Sequence, residues 1–403
     1  MFKLAFRNIF RNRSRTALTL AAIMTGVAAI IVSGGFVQDI FIQLREATIH
    51  SRLGHLQIFR QGYLEYGQRD PSHYVISQAK PVIDTVRTIP HVKEVLARIN
   101  FSGLANNSNA DLPIIGEGVE PDKETRLGTA TSMVAGRQLR DSDQFAAVIG
   151  EGVASALQLH AGSFLSLMIN TPEGALNTLE FKVVGIFRTF SKDYDDRAVR
   201  IPLSAAQELL FTHAVHNLVL SLDDTAATDT VVAAVKNRLA RQGYETRAWY
   251  ELADFYEKTV ALYKRQFGAL QFIILVMLVL SVASTINMAI YERTGEFGTL
   301  LALGFRRTQI LKLVILENTL LGFLGGVLGV CLGLALAGAI SGIGIPMPPP
   351  PGSNAGYIAS IRLVPWVLAA AALVGLVAAV IAAVVPGRRA SRFAVVEALR
   401  HNL

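Results

Sequence analysis

The 403-residue chain is short of charge, of cysteine and of every common nucleotide or metal signature. Charged residues make up 17% and hydrophobic ones 51%, with a mean hydropathy of +0.40. That balance is too apolar for an ordinary soluble protein. There is one cysteine, Cys331, so an internal disulfide and a CxxC motif are both excluded. No lysine follows a glycine, which excludes a GxxxxGK(S/T) phosphate loop. HExxH and GxSxG are missing as well, removing the usual zinc-protease and serine-hydrolase signatures. His213 and His216 stand three apart without an evident third ligand. Asp193, Asp195 and Asp196 lack the spacing of an EF-hand loop and read as a solvated turn. These absences predict no metal site, no cofactor bound by this chain and no catalytic residues; any energy-yielding chemistry must come from a partner.

Long apolar runs and an uneven distribution of charge are what the sequence does have. Residues 41–266 hold 24 Lys/Arg against 26 Asp/Glu, a net of −2, and the remainder holds 14 against 5, a net of +9. The basic excess flanks the apolar runs, which points to a positive-inside membrane topology and not to nucleic acid. Residues 1–16 carry Lys3, Arg7, Arg11, Arg13 and Arg15 and no acid. Phe2, Phe6, Ile9 and Phe10 fall on one helical face, so this segment reads as an amphipathic helix in the cytoplasmic headgroup layer. Apolar runs predict spans at 17–38, 267–290, 314–340 and 364–385, each long enough at ~1.5 Å per residue to cross a bilayer. Helical periodicity continues beyond the first span at Val37, Ile40, Phe41 and Leu44. It also precedes the second, at Leu252, Phe255, Tyr256, Thr259 and Tyr263. Both spans are therefore expected to carry stalks outside the membrane. Glycines at 322, 325, 326, 329 and 333 suit close helix packing in lipid. Residues 341–363, with Pro346 and Pro348–Pro351, are expected to form an extended outer loop, and 386–403 a basic cytoplasmic tail.

Between the stalks, residues 39–266 alternate β-like runs (56–59, 112–115, 147–149, 164–169, 179–186, 198–201, 218–222) with helical ones (80–88, 204–211, 227–242). A mixed α/β soluble domain is predicted, with a strand-rich lobe inserted at 101–203. Within it, Thr171–Asn177 (TPEGALN) reads as an exposed hairpin loop in which Pro172, Ala175 and Leu176 are candidate partner contacts. The expected fold class is thus an α-helical membrane protein with four transmembrane helices plus a large mixed α/β domain on the outer side. The segment 291–313 stands apart. A charged turn with Glu292, Arg293 and Glu296 precedes a short apolar stretch holding Phe297 and Leu300. Gly304 closes that stretch as a helix C′ residue, and Arg306 and Arg307 follow. This is a short helix between two spans, on the cytoplasmic side by charge. Glu317, just inside the third span, could serve as a proton relay, but near the cytoplasmic end it is expected instead to snorkel or to pair with a basic neighbour.

Three blocks carry a family resemblance over nearly the whole chain: LAFRNIFRNRSRTALTLAAIMTGVA, ERTGEFGTLLALGFRRTQI and PGRRASRFAVVEALRH. Together with the layout of one span, a large external domain and three spans, they resemble the MacB/FtsX/LolC–LolE permeases of type VII ABC transporters. The external segment from VIGEGVASALQLHAGSFLSL to IPLSAAQELL is most similar to the lipoprotein-releasing branch. Phe297 replaces the family's usual isoleucine. The resemblance implies a bacterial inner-membrane subunit with its large domain in the periplasm. It also implies a second permease chain as homo- or heterodimer partner, and a cytoplasmic ABC ATPase dimer that binds ATP and magnesium and docks at 292–307. A periplasmic carrier or adaptor protein would complete the system. The function implied is the transmission of ATP-driven motion to the periplasmic domain for lipoprotein or lipid extraction. MacB-like efflux, or FtsX-like control of a cell-wall hydrolase, stands as the alternative.

Overall fold

The computed structural model describes residues 2–11, 13–67, 73–128, 130–171, 174–347 and 356–392. Pro172, Pro348–Pro351 and the tail beyond 392 lie outside the described residues. The chain divides into two compact units, one of Met1–Ile42, Val260–Pro346 and Ile358–Leu403, the other of Gln43–Thr259 and Met347–Tyr357.

The N-terminal amphipathic segment forms α1 (Phe2–Arg11), and α2 (Arg13–Thr48) follows, ending in a π-helical turn, Ile49–Leu53. The soluble unit then runs β1 (Leu56–Arg60), α3 (Tyr63–Tyr66), α4 (Ala79–Arg87), β2 (Val92–Asn106), β3 (Asp111–Val119), α5 (Pro121–Leu127), β4 (Ser132–Gly136), β5 (Ala146–Gly150) and α6 (Glu151–Ala156). It continues with β6 (Phe164–Asn170), β7 (Leu176–Arg188), α7 (Lys192–Asp195), β8 (Ala198–Pro202), α8 (Leu203–Leu209), β9 (Asn217–Leu222), α9 (Thr228–Arg238), β10 (Tyr244–Ala248) and α10 (Trp249–Leu252). The remaining elements are α11 (Asp254–Glu292), α12 (Thr294–Ala302), α13 (Arg307–Ile343), β11 (Ile345–Met347), β12 (Tyr357–Ala359) and α14 (Pro365–Ala390).

One sheet of ten strands organises the soluble unit, in the order β10-β1-β9-β2-β3-β8-β5-β7-β4, with β6 pairing β2 and β7. The 15-residue β2 joins its two halves. Residues 92–98 pair with β9, and residues 98–106 pair with β3. Two cores result. One gathers Ile99, Leu165, Phe181, Ile201 and Leu209, the other Leu56, Ile58, Val86, Leu218 and Val235. The strand-rich region anticipated at 101–203 is therefore continuous with its flanks through β2, because a strand of that length cannot belong to one half alone.

Among the described residues, four helices, α2, α11, α13 and α14, are long and apolar enough to cross a membrane. Their common core holds Ile23, Val27 and Ile31 of α2, Val282 and Ile286 of α11, Val314 of α13 and Ala379 of α14. The ends of these helices differ from expectation in three places. The helical pattern around 249–266 is broken at Ala253 (φ −103°, ψ 59°), so Leu252 belongs to α10 and not to the stalk helix. The outer loop begins only after Ile343, where Gly344 ends α13 in a left-handed conformation, and it contains the paired strands β11 and β12. Its last residues pack back on α2. The Arg362 amide donates to the Gly35 carbonyl at 3.3 Å, and a side chain at Gly35 would lie 2.6 Å from Ile361. Finally, α14 runs through Pro386 to Ala390, so part of the expected tail is helix.

Candidate coupling site and its supports

Helix α12 is short because two features stop it. Arg293 leaves helical geometry at its N-cap, and Gly304 takes φ 92° beyond its C-terminus. The Gly304 amide donates to the Leu301 carbonyl (3.0 Å) and the Phe305 amide to the Leu300 carbonyl (3.1 Å), a Schellman closure that only glycine makes without strain. The helix has two faces. Gly295, Phe297 and Gly298 are buried, and Leu300 is half-buried. Glu296, Leu303, Gly304, Arg306 and Arg307 are exposed, Leu303 at 74%. Phe297 is thus a packing residue, buried in the common core of the spans.

A lattice of charge braces this helix. Arg293 donates to both oxygens of Glu317 (2.8 and 3.3 Å) and to Glu296 (3.1 Å), and lies 5.2 Å over the Phe297 ring. Burial works against the Arg293 charge, but the hydrogen bonds to Glu317 and Glu296 outweigh it and hold the guanidinium above its ordinary value. Glu317, 8% exposed on α13, also accepts from Asn8 of α1 at 2.5 Å. Arg11 pairs with Glu296, and Arg15 with Glu292. The basic neighbour of Glu317 is therefore Arg293. Asn8 and Leu303 were not singled out from the sequence, and Arg11 and Arg15 were read only as basic residues of the N-terminal headgroup segment. The four-residue spacing of Arg7, Arg11 and Arg15 was the available signal for the two arginines, whereas nothing local marks Asn8.

The glycines of α13 sort into two rows four residues apart. Gly325, Gly329 and Gly333 face α2, where a Cβ would stand 2.8, 2.7 and 3.0 Å from Ile23, Val27 and Ile31. Gly322 and Gly326 face α14, at 2.8 Å from Ala379 and 3.4 Å from Ala372. Both rows are filled by helices of the same chain.

The hairpin between β6 and β7 is tighter than TPEGALN suggests. Leu176 and Asn177 already pair with Asn170 and Ile169, so they belong to β7 and not to the connection. The Thr171 amide donates to the Ala175 carbonyl (2.8 Å), and Gly174 takes φ 84°. Ala175 and Leu176 are exposed, Leu176 at 65%. The other candidates fall to structural roles. Asp195 is not solvated: it is fully buried and accepts from the Thr189 amide and hydroxyl at 2.7–3.1 Å, because it ties α7 to the end of β7. His216 is buried and accepts the Asn100 amide at 2.9 Å, and His213 lies in the loop beyond α8. Among the described residues, no group of three or more His, Cys, Asp or Glu is placed to hold a metal ion.

Sequence reasoning also missed a buried ionic cluster under the π-turn. Glu117 accepts from Arg52 (3.0 Å), Arg200 (3.1 Å) and the Tyr194 hydroxyl (2.7 Å), and Glu124 accepts both ends of the Arg98 guanidinium (2.7–3.1 Å). Burial opposes the Glu117 charge, but Arg52, Arg200 and Arg98 outweigh it and hold the carboxyl well below the usual range. The free arms of Arg98 and Arg200 donate to the carbonyls of Arg52 and Ser51, inside the π-turn. A π-turn weakens its own ladder, and these donors satisfy the carbonyls it leaves.

Comparison with known proteins gives this architecture its place. Residues 16–238, more than half of the chain, match the MacB-like periplasmic core domain, and residues 268–395 match the FtsX-like permease C-terminal domain. An uncharacterized ABC transporter permease of Methanocaldococcus jannaschii is 23% identical over 98% of this chain and 96% of its own. The macrolide export ATP-binding/permease protein MacB of Hyphomonas neptunium is 24% identical over 98% of this chain, which spans 60% of that protein. The lipoprotein-releasing system transmembrane protein LolC of Neisseria meningitidis serogroup B is 22% identical over 80% of this chain and 76% of its own. The chain belongs to the MacB/FtsX/LolC family of ABC transporter permeases.

Proposed function

We propose that this chain is the inner-membrane permease subunit that takes up the movement of a separate cytoplasmic ABC ATPase dimer through α12 and passes it to its periplasmic domain. ATP and magnesium belong to that partner, and a second permease chain completes the transporter. The observation that carries this reading is the split of α12 into a buried, ion-braced face and an exposed one. Arg293, Phe297 and Leu300 fix the helix, and Leu303, Gly304, Arg306 and Arg307 form the surface offered to the partner. A braced helix transmits a push, whereas a loose loop absorbs it.

The work done outside is extraction or handover of a lipoprotein or lipid, with a soluble carrier or adaptor meeting the domain near Ala175 and Leu176. The similarity to the lipoprotein-releasing LolC supports this reading. Efflux of a peptide or amphiphile is the second reading, favoured by the match to a MacB-like periplasmic core.

Co-purification with the ATPase subunit tests the docking surface. Leu303→Asp and Arg306→Glu should abolish the complex while leaving the permease folded. Undiminished complex formation in both variants would overturn the assignment.

A further inference from the structure

The two long helices enter the soluble unit through joints of different chemistry. At the π-turn that ends α2, every carbonyl of Ile49–Leu53 has a donor. Three of these donors are side chains of separate strands. Arg200 of β8 donates to Ser51 (2.9 Å), Arg98 of β2 to Arg52, and Gln57 of β1 to Leu53 (2.9 Å). Backbone amides, of Gly54 and Ala130, serve Ile49 and His50 (2.9 and 3.4 Å). Two guanidiniums at the negative end of a helix are also well placed by charge. Their remaining arms hold Glu124 and Glu117, so neither swings away without breaking buried ion pairs. In return Arg52 of the π-turn donates to Glu117 (3.0 Å) and lies 4.7 Å over the Tyr194 ring. The first turn of α11 is held by apolar contact. The Tyr256 ring meets Trp249 edge-on at 4.9 Å, with Ile49 and Ala253 buried beside them. Such contacts are non-directional and tolerate rotation, whereas a set of aligned hydrogen bonds does not.

We propose that Arg98, Arg200 and Gln57 make the outer end of α2 one rigid body with β1, β2 and β8, so that a turn of α2 about its axis reaches the sheet, while α11 enters the same domain through a joint that slips. The proposal deepens the reading that the chain passes movement to its external domain. Arg98 and Arg200 act here as positioning residues. Their charge holds the carboxylates, and their forked geometry reaches the carbonyls at the same time. Lysine keeps the first property and loses the second.

Distances between pairs of spin labels test this on the full chain in a Cys331→Ser background, with no ATPase present. Ala47→Cys with Ser204→Cys reports α2 against the domain, and Lys258→Cys with Ser204→Cys reports α11. Thr178→Cys with Ser204→Cys reports the domain itself; Ser204, Lys258 and Thr178 are exposed. The α2 distribution should be narrow and the α11 distribution about twofold wider. Arg98→Lys with Arg200→Lys should widen the α2 distribution about twofold and leave the domain distribution unchanged. Equal widths for α2 and α11 in the native cluster, or an α2 width that ignores both lysines, would overturn the proposal. Widening of the domain pair as well would assign the cluster to domain stability and overturn it too. These widths do not depend on the ATPase, so a failed docking surface would leave them as they are.

Discussion

Arg200 donates to the Ser51 carbonyl at 2.9 Å across 149 residues of sequence, while the same guanidinium holds Glu117 at 3.1 Å. Arg200 and Glu117 are both buried; without Arg200 the carboxylate keeps Arg52 and the Tyr194 hydroxyl, but the Ser51 carbonyl loses its donor. We expect Arg200→Met to destabilise the soluble domain by up to about 3 kcal/mol, the low end of the cost of breaking a buried pair, because Arg52 still compensates Glu117. Adding Glu117→Gln should recover part of that loss. Denaturant unfolding of the three proteins measures it.

His55 makes stability depend on pH. Its Nδ1 accepts the Leu222 amide at 3.1 Å, a bond only the neutral ring can accept, and its Nε2 lies 3.2 Å from the Thr225 hydroxyl. Burial, with a smaller contribution from His50, lowers its pKa to about 4; Glu46 and Asp224 pull it up, and Arg45 pulls it down. The folded state therefore takes up its proton later than the unfolded chain does. The His55 contribution is complete above pH ~6.5 and declines as the pH falls toward 4, by up to about 3 kcal/mol. His55→Asn, whose amide oxygen can replace Nδ1 as acceptor, should flatten the unfolding profile between those limits. An unchanged slope would assign the pH dependence to other groups.

The two glycine rows of α13 should respond differently to alanine. At Gly329 an added methyl meets the Val27 side chain at 2.7 Å and the Met24 carbonyl at 3.0 Å, so α2 must shift; overpacking of this kind typically costs about 1–3 kcal/mol. At Gly326 the nearest atom is 3.4 Å away, an ordinary contact, and the greater helix propensity of alanine should make the change neutral or stabilising. Melting temperatures in detergent separate the two variants, and equal losses would contradict the packing described here.

Gly304→Val tests the closure of α12 from the other direction. No atom lies within 4 Å of the added Cβ, so the strain comes only from φ 92°. A β-branched residue there should undo the Schellman turn at a cost of about 1–2 kcal/mol. The expected result is ATPase activity that persists but no longer drives movement, with little change in the unfolding of the β-domain. Full coupling in Gly304→Val would show that the turn is dispensable.

Legibility in the sequence followed the range of the interactions. The end of α12 was readable because a single glycine after an apolar stretch decides it. Apolar runs such as 164–169 and 218–222 were readable for a similar local reason. The longest strand, β2, was not. Lys93, Glu94, Arg98 and Asn100 interrupt its alternation, and Arg98 is buried only because Glu124, 26 residues away, accepts it bidentately. The brace of α12 was half legible. Arg293 and Glu317 stand near each other in sequence, whereas Asn8 reaches Glu317 across 309 positions, and no local pattern encodes such a contact. The hairpin loop expected at 171–177 was overextended because strand propensity gives no register, and the pairing of Leu176 with Asn170 decides where β7 begins.

The rows of glycine on α13 limit which parts of the bundle are free to move. α2, α13 and α14 approach one another so closely at Gly322, Gly325 and Gly329 that a slide by one residue would drive side chains into backbone. They constitute one rigid block. α11 meets that block along a single stripe, Leu278, Val282, Ile286 and Ile290, and only 17% of its apolar stretch is buried, against 39% in each of the other three helices. A bundle packed this way leaves the roll or tilt of α11 against the block as its softest coordinate. Under the proposed docking, a push on α12, which follows α11 directly in the chain, would act at the end of that helix.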